Sequence, residues 1–440
     1  MTARDWERLK AETARVYASN EVEAADAYFH MPNAHFYPSL FAWDSGFQAV
    51  AMCHLDPTKA ARELATLFAQ VAPDGHMPHE VLLPPAASRA SLARNFTRRL
   101  VQWEYDSRMA SHLVDPPIYV CAAEQVFEWT RDRGWLESIW ENLRRCLDYL
   151  ADERDLFGDG LVTILHPWEA GTDLSPQFFE ALGVDPRRDL SVIDATLYAV
   201  RLYRFCNRRG WDPTVLFDEN RFAIEDLTVN CITVRALLCA SRLASEVGDQ
   251  LTASNFASRA RSMADTIDRV CWDERAGCYF PRWNAAQPRL SRVKTAASLL
   301  PLFTGLCDQG RAERLVGEHL LNESEFARAY VVPFNPEDEL AGFRPWVEKK
   351  LWAAHCIWIN FNWMLAIGLA ENGFEEEARL VTERTAELVG REGFWEYYDS
   401  RNGRGRRIRD FTWPGLVLDM IARHWPEAAP AREQERAPGR

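Results

Sequence analysis

Positive charge is scarce in this chain: 51 lysines and arginines stand against 64 aspartates and glutamates, a formal net charge of −13. Phosphate backbones are gripped by basic footprints, so a nucleic-acid partner is excluded, and an anionic membrane surface is equally disfavoured. The ten cysteines contain no CxxC pair and no Cys/His cluster with zinc spacing. Cys53, Cys121, Cys146, Cys206, Cys231, Cys239 and Cys356 lie inside apolar helical patterns. They read as small buried hydrophobes in a reducing, cytoplasmic setting. No metal site and no organic cofactor is implied. The opening MTARDWERLKAETARVY is amphipathic and lacks the apolar core of a secretory signal. No stretch reads as the roughly 18 apolar residues that a membrane span needs. Strand signals are few, confined to 161–165, 278–283 and 394–398, and no fixed repeat length emerges.

Helical periodicity is abundant. It predicts helices near 5–18, 41–54, 57–71, 117–131, 135–152, 190–208, 222–247, 250–270, 291–305, 309–320, 351–371, 374–390 and 413–423. They alternate in character. Segments such as 190–205 and 351–367 are apolar almost all round, whereas 250–270 and 374–390 are two-faced. An all-round apolar helix must be covered by others, and a two-faced helix covers. The expectation is an all-α fold, a double ring of helices forming an (α/α)6 barrel, with residues 1–425 as one domain. Residues 72–116, rich in Pro and Arg, are expected to form a lid, and 426–440 a disordered tail. Self-association into a homo-oligomer is compatible with this composition.

The 17 tryptophans point further. A sugar offers apolar C–H faces, and Trp offers a wide rigid face with one N–H donor. Several tryptophans accompany carboxylates. YPSLFAWDSGF brings Tyr37, Trp43 and Asp44 to a helix start, where Asp44 serves either as a cap or as a ligand for sugar hydroxyls. LHPWEAGTDLSPQ sets Trp168, Glu169, Gly171 and Asp173 in one tight loop. The two carboxylates either share a cavity, which raises a carboxyl pKa as a general acid requires, or mark an ordinary surface turn. FWEYYDSRNGRGRRIRDFTWPG encloses Glu396 among Trp395, Tyr397 and Tyr398, turns at Asn402-Gly403 and closes on Trp413. Its arginines between 401 and 409 read as a solvated loop. In LWAAHCIWINFNWML, helical spacing puts Trp352 and Asn360 on one face, and His355 reads as a core histidine.

Taken in this order, the four motifs resemble the clan of (α/α)6 inverting glycosidases that includes trehalases and glycoside hydrolase family 63. They are most similar to the bacterial branch of that family containing mannosylglycerate and glucosylglycerate hydrolases. The resemblance implies that WEAGTDLSP carries the general acid on Asp173 and EYYDSRNG the general base on Glu396. Glu169 would hold sugar hydroxyls or tune Asp173, while Trp43, Trp168 and Trp352 would pack on the sugar ring. Asp115 departs from the family's Gln before the Pro-Pro pair, and Ala353-Ala354-His355 departs from its Arg-Gly-Pro. The implied substrate is a small α-glucoside or α-mannoside, with glycerate as one candidate aglycone. Arg89, Arg94, Arg98, Arg99 and Arg108 in the lid, with Arg187 and Arg188, would grip its carboxylate. Neutral disaccharides are the alternative substrates, and a non-catalytic sugar-binding barrel is the alternative outside enzymes. A phosphorylase would replace the base with a phosphate pocket, and an epimerase would need paired histidines.

Overall fold

The computed structural model describes residues 3–83, 105–185, 192–340 and 351–429. It is mostly helical with small antiparallel sheets. The main helices are α1 (Ala3–Asn20), α2 (Ala42–Cys53), α3 (Pro57–Phe68), α4 (Ile118–Thr130), α5 (Arg133–Arg154), α6 (Val192–Asn207), α7 (Pro213–Glu219), α8 (Leu227–Val247), α9 (Gln250–Val270), α10 (Gln309–Arg314), α11 (Ile359–Glu371), α12 (Glu375–Glu392) and α13 (Val417–His424). Many start where the local chemistry dictates. Asp56, Asp132, Asp226 and Asp249 each accept a backbone N–H from the first turn of the helix that follows.

Six segments touch one another in cyclic order: α2, α4, α8, the 3-10 segment Ala296–Thr304, α11, α13 and back to α2. All are largely buried. Gly46 permits the close approach of α2 to α4, since a Cβ there would sit 2.8 Å from the Tyr119 backbone nitrogen. Pro301 lacks an N–H and keeps Ala296–Thr304 from becoming an α-helix. Two-faced helices cover the ring: α3 on α2, α9 on α8, and α12 on α11 and α13. One end of the ring is tied by Asp419, whose carboxylate accepts from His54, Gln125, Trp363 and Arg423, at 2.6–3.0 Å. One hydrophobic core runs from Trp6 to Ala429.

Several sequence expectations need correction. Residues 351–371 are not one helix. Leu351–Ala353 make a 3-10 turn and Cys356–Ile357 join a sheet, so helix begins only at Ile359. Pairing of Cys356 and Ile357 with Asp399 and Tyr398 outcompetes helical propensity there. Segment 190–205 is not buried all round, for Arg201 and Arg204 of α6 are exposed. Helix α7 lies where a loop was expected, and α8 starts at Leu227 rather than 222. Helix α8 is also long and apolar enough to cross a membrane by composition, although it is a covered member of the ring. The expected tail begins with a packed turn, Pro426–Ala428, and both Ala428 and the following Ala429 are buried.

Candidate active site

A cavity of about 270 Å³ opens beside the N-terminal ends of α2, α4 and α11. Eleven residues were singled out from the sequence as catalytic or substrate-binding, and nine of them line it: Tyr37, Trp43, Asp44, Trp168, Gly171, Asp173, Trp352, Glu396 and Trp413. Two sheets frame the wall. Strand β1 (Leu40–Phe41) pairs with β2 (Glu80–Val81). Strand β3 (Cys356–Ile357) pairs with β4 (Trp395–Asp399), which forms a hairpin with β5 (Gly405–Arg409) around Gly403, at φ +69°.

Glu396 sits on β4, 3 % exposed. Its Oε1 accepts from the Tyr37 hydroxyl at 2.9 Å and from Arg407 Nη1, while Oε2 is buried without a hydrogen-bond partner among the described residues. Burial raises its pKa to about 7 against the lowering charge of Arg407. Asp173 follows the 3-10 turn Pro167–Ala170, and burial raises its carboxyl to about 6. Gly171 between them has φ +68°, and a Cβ there would run into the Trp43 indole. Only glycine gives both the left-handed turn and that contact. Asp44, in the first turn of α2, is raised to about 8 by burial, with the charges of Glu396 and Asp173 adding.

The aromatic wall is interlocked. Trp352 stacks on Trp358 with ring centroids 3.9 Å apart and planes 10° apart. Trp413 meets Trp43 edge-on at 5.2 Å, and Trp168 leans on Tyr203 at 5.7 Å. Asn335 holds the Trp352 turn by donating to the Trp352 and Ala354 carbonyls.

Two expected ligands are absent from this wall. Glu169 is fully buried behind it, and its oxygens accept from Arg154, Leu165 N and Val114 N. These bonds tie it to the loop and to α5. Asn360 is fully buried in the first turn of α11, because the helix break at 351–358 cancels the two-turn spacing to Trp352.

Other wall residues were not singled out. Arg407 lines the cavity, contrary to the reading of 401–409 as a solvated loop, although Arg401 and Arg406 do serve Asp399 locally. A β-bulge, invisible in composition, lets the exposed Arg407 reach the cavity with its guanidinium. Asp115 lies in the wall and accepts the Trp43 backbone N–H at 2.9 Å, with burial raising its pKa well above the ordinary range. His79, Glu80, Tyr105 and Ser111 come from the flanks of the expected lid. Arg108 of that lid pairs with Asp106. Arg89, Arg94, Arg98, Arg99, Arg187 and Arg188 lie outside the described residues.

Comparison with known proteins accords with this geometry. A mannosylglycerate hydrolase of Thermus thermophilus is 30 % identical over 417 residues, covering 88 % of this chain and 95 % of its own. The crystal structure of a family 63 mannosylglycerate hydrolase from Thermus thermophilus, in complex with Tris and D-glycerate, superposes with a TM-score of 0.79 at 27 % identity, covering 94 % of this chain and all of that one. Glucosylglycerate hydrolase of Mycolicibacterium hassiacum is 24 % identical over 437 residues, covering 88 % of this chain and 92 % of its own. The model of the mannosylglycerate hydrolase MGH1-like glycoside hydrolase domain matches residues 37–414. That match spans the cavity's carboxylates and tryptophans alike, and the chain is a glycosidase that belongs to this branch of glycoside hydrolase family 63.

Proposed function

We propose that the protein hydrolyses a small α-glucoside or α-mannoside, with a glycerate glycoside as the leading substrate, by inversion on an (α/α)6 barrel. The observation that carries this reading is a pair of carboxylates, half-buried Asp173 and buried Glu396, in one tryptophan-lined cavity. The cyclic contact order of the six inner segments supports the barrel. Asp173, with its raised pKa, donates a proton to the leaving oxygen. Glu396 takes a proton from water through Oε2, the oxygen without a hydrogen-bond partner among the described residues. That water attacks the anomeric carbon from the face opposite the leaving group, as inversion requires. Asp44, with a carboxyl raised to about 8, is neutral near pH 7 and offers an O–H to a sugar hydroxyl. The cavity's volume of about 270 Å³ suits a single sugar ring with a short aglycone. The names of the relatives, and the D-glycerate held by one of them, favour glycerate over a neutral aglycone.

Proton NMR of the first products of mannosylglycerate and glucosylglycerate tests the reading. Inverted anomeric configuration is expected. Asp173→Asn and Glu396→Gln should each lower turnover by about 10²–10⁴-fold in a folded protein. Retention of configuration, or full activity of either variant, overturns the mechanism.

A further inference from the structure

The two oxygens of Glu396 are held differently. Tyr37 and Arg407 both donate to Oε1, and Arg407 Nη1 also donates to the Tyr37 hydroxyl oxygen at 2.7 Å. Oε2 is buried in the same cavity with no hydrogen-bond partner among the described residues. The hairpin explains how an arginine arrives there. Trp395 pairs with Arg409 and Tyr397 with Arg406, so Glu396 alone opposes both Arg407 and Ile408. This is a β-bulge, which re-aims side chains. Arg407 sits in it at φ +67°, a conformation that non-glycine residues avoid. Ile408 turns into the core, while the Arg407 guanidinium reaches the cavity.

We propose that Arg407 is a positioning residue for the base: its guanidinium, tied to Tyr37, clamps Oε1 so that Oε2 is the atom presented to the attacking water. This rests on the reading of Glu396 as the base. The clamp also bears on charge. The groups around Glu396 are Tyr37 from the loop before β1, Arg407 from β5, Asp173 from the loop after Pro167–Ala170 and Asp44 from α2. Burial disfavours its ionisation, as does the Asp173 carboxylate, whereas Asp44 feels the charge of Glu396 rather than adding its own. Among these groups Arg407 is the cation, and it offsets them. An arginine lining a sugar cavity is a natural partner for an anionic aglycone, but Nη1 is already committed to Glu396 and Tyr37.

The test compares wild type with Arg407→Met, Arg407→Lys and Glu396→Gln, recording kcat and KM against pH and thermal melting as a control for folding. Glu396 titrates above Asp173 in the free protein, so losing Arg407 should move the upper limb of the pH profile to higher pH. The maximum kcat/KM should fall about tenfold for each unit moved, through kcat rather than KM, and lysine should restore part of both. Unmoved limbs with a loss confined to KM overturn the proposal and make Arg407 a substrate anchor. An active Glu396→Gln would instead remove the base assignment itself. An inactive Glu396→Gln beside an Arg407→Met profile like wild type removes only the role of Arg407.

Discussion

Replacing Glu169 by Gln separates a sugar ligand from a structural carboxylate. Arg154 and Glu169 are 3 % and 0 % exposed, and their contact is bidentate, at 2.8 and 3.1 Å. Leu165 N and Val114 N complete the carboxylate's bonds at 2.6 and 3.3 Å. Four donors thus converge on one side chain, two on each oxygen, and an amide nitrogen in place of either oxygen would oppose two of them while stranding the Arg154 charge. Breaking one partner of a buried pair costs about 3–5 kcal/mol. Unfolding entropy of about 2.1 cal/mol/K per residue gives roughly 0.9 kcal/mol/K for a chain of 440 residues, so Tm should fall by about 3–5 °C. Burial alone would raise the Glu169 pKa, but Arg154 and the two N–H groups hold it below the usual value. Its stabilisation is therefore present above the unfolded pKa of about 4.3 and fades as pH falls through the lower folded value. Scanning calorimetry of both proteins across pH reads this directly. The Tm difference should be full near neutrality and shrink in acid. An unchanged Tm with a raised KM would refute the reasoning and return Glu169 to the substrate.

Carboxyls at about 6 on Asp173 and about 7 on Glu396 predict a narrow bell of kcat/KM against pH, falling on either side of that interval. Because the acid titrates below the base, about one in ten of the singly protonated molecules carries the productive arrangement; a profile flat from about pH 5 to about pH 8 would contradict this. Gly171→Ala should collapse activity, since the Cβ meets the Trp43 ring at a left-handed φ, and crystallography of the variant should find Trp43 or the loop displaced. For substrate, kcat/KM for mannosylglycerate should exceed that for its uncharged amide and for kojibiose or trehalose; preference for a neutral sugar would end the glycerate reading and leave the hydrolase intact.

Carboxylates beside tryptophans were legible as a site because both residue types are costly to place together without a task, and Trp43, Asp44, Trp168, Asp173 and Glu396 do meet in one cavity. Outer helices were legible from their one-faced apolarity, as α9 and α12 show. Three things were not. The spacing of Trp352 and Asn360 assumed a helix that strand pairing at Cys356–Ile357 interrupts. Glu169 looked like Asp173 because its partner, Arg154, lies on a preceding helix and pairs only after folding. Arg407 was hidden in a run of arginines, where a bulge rather than composition decides which one reaches the cavity.

The crowded aromatic wall has an optical consequence. Five of the chain's 17 tryptophans border the cavity. Indole emission responds to the polarity around it, so a sugar that displaces water from Trp43, Trp168 and Trp413 changes the protein's own fluorescence. The near-parallel Trp352 and Trp358 rings, 3.9 Å apart, are close enough to couple their transitions and give a near-ultraviolet circular dichroism couplet. Occupancy of the cavity can thus be followed without a label, in the Asp173→Asn variant that the proposed mechanism predicts to be silent, while the substrate stays whole.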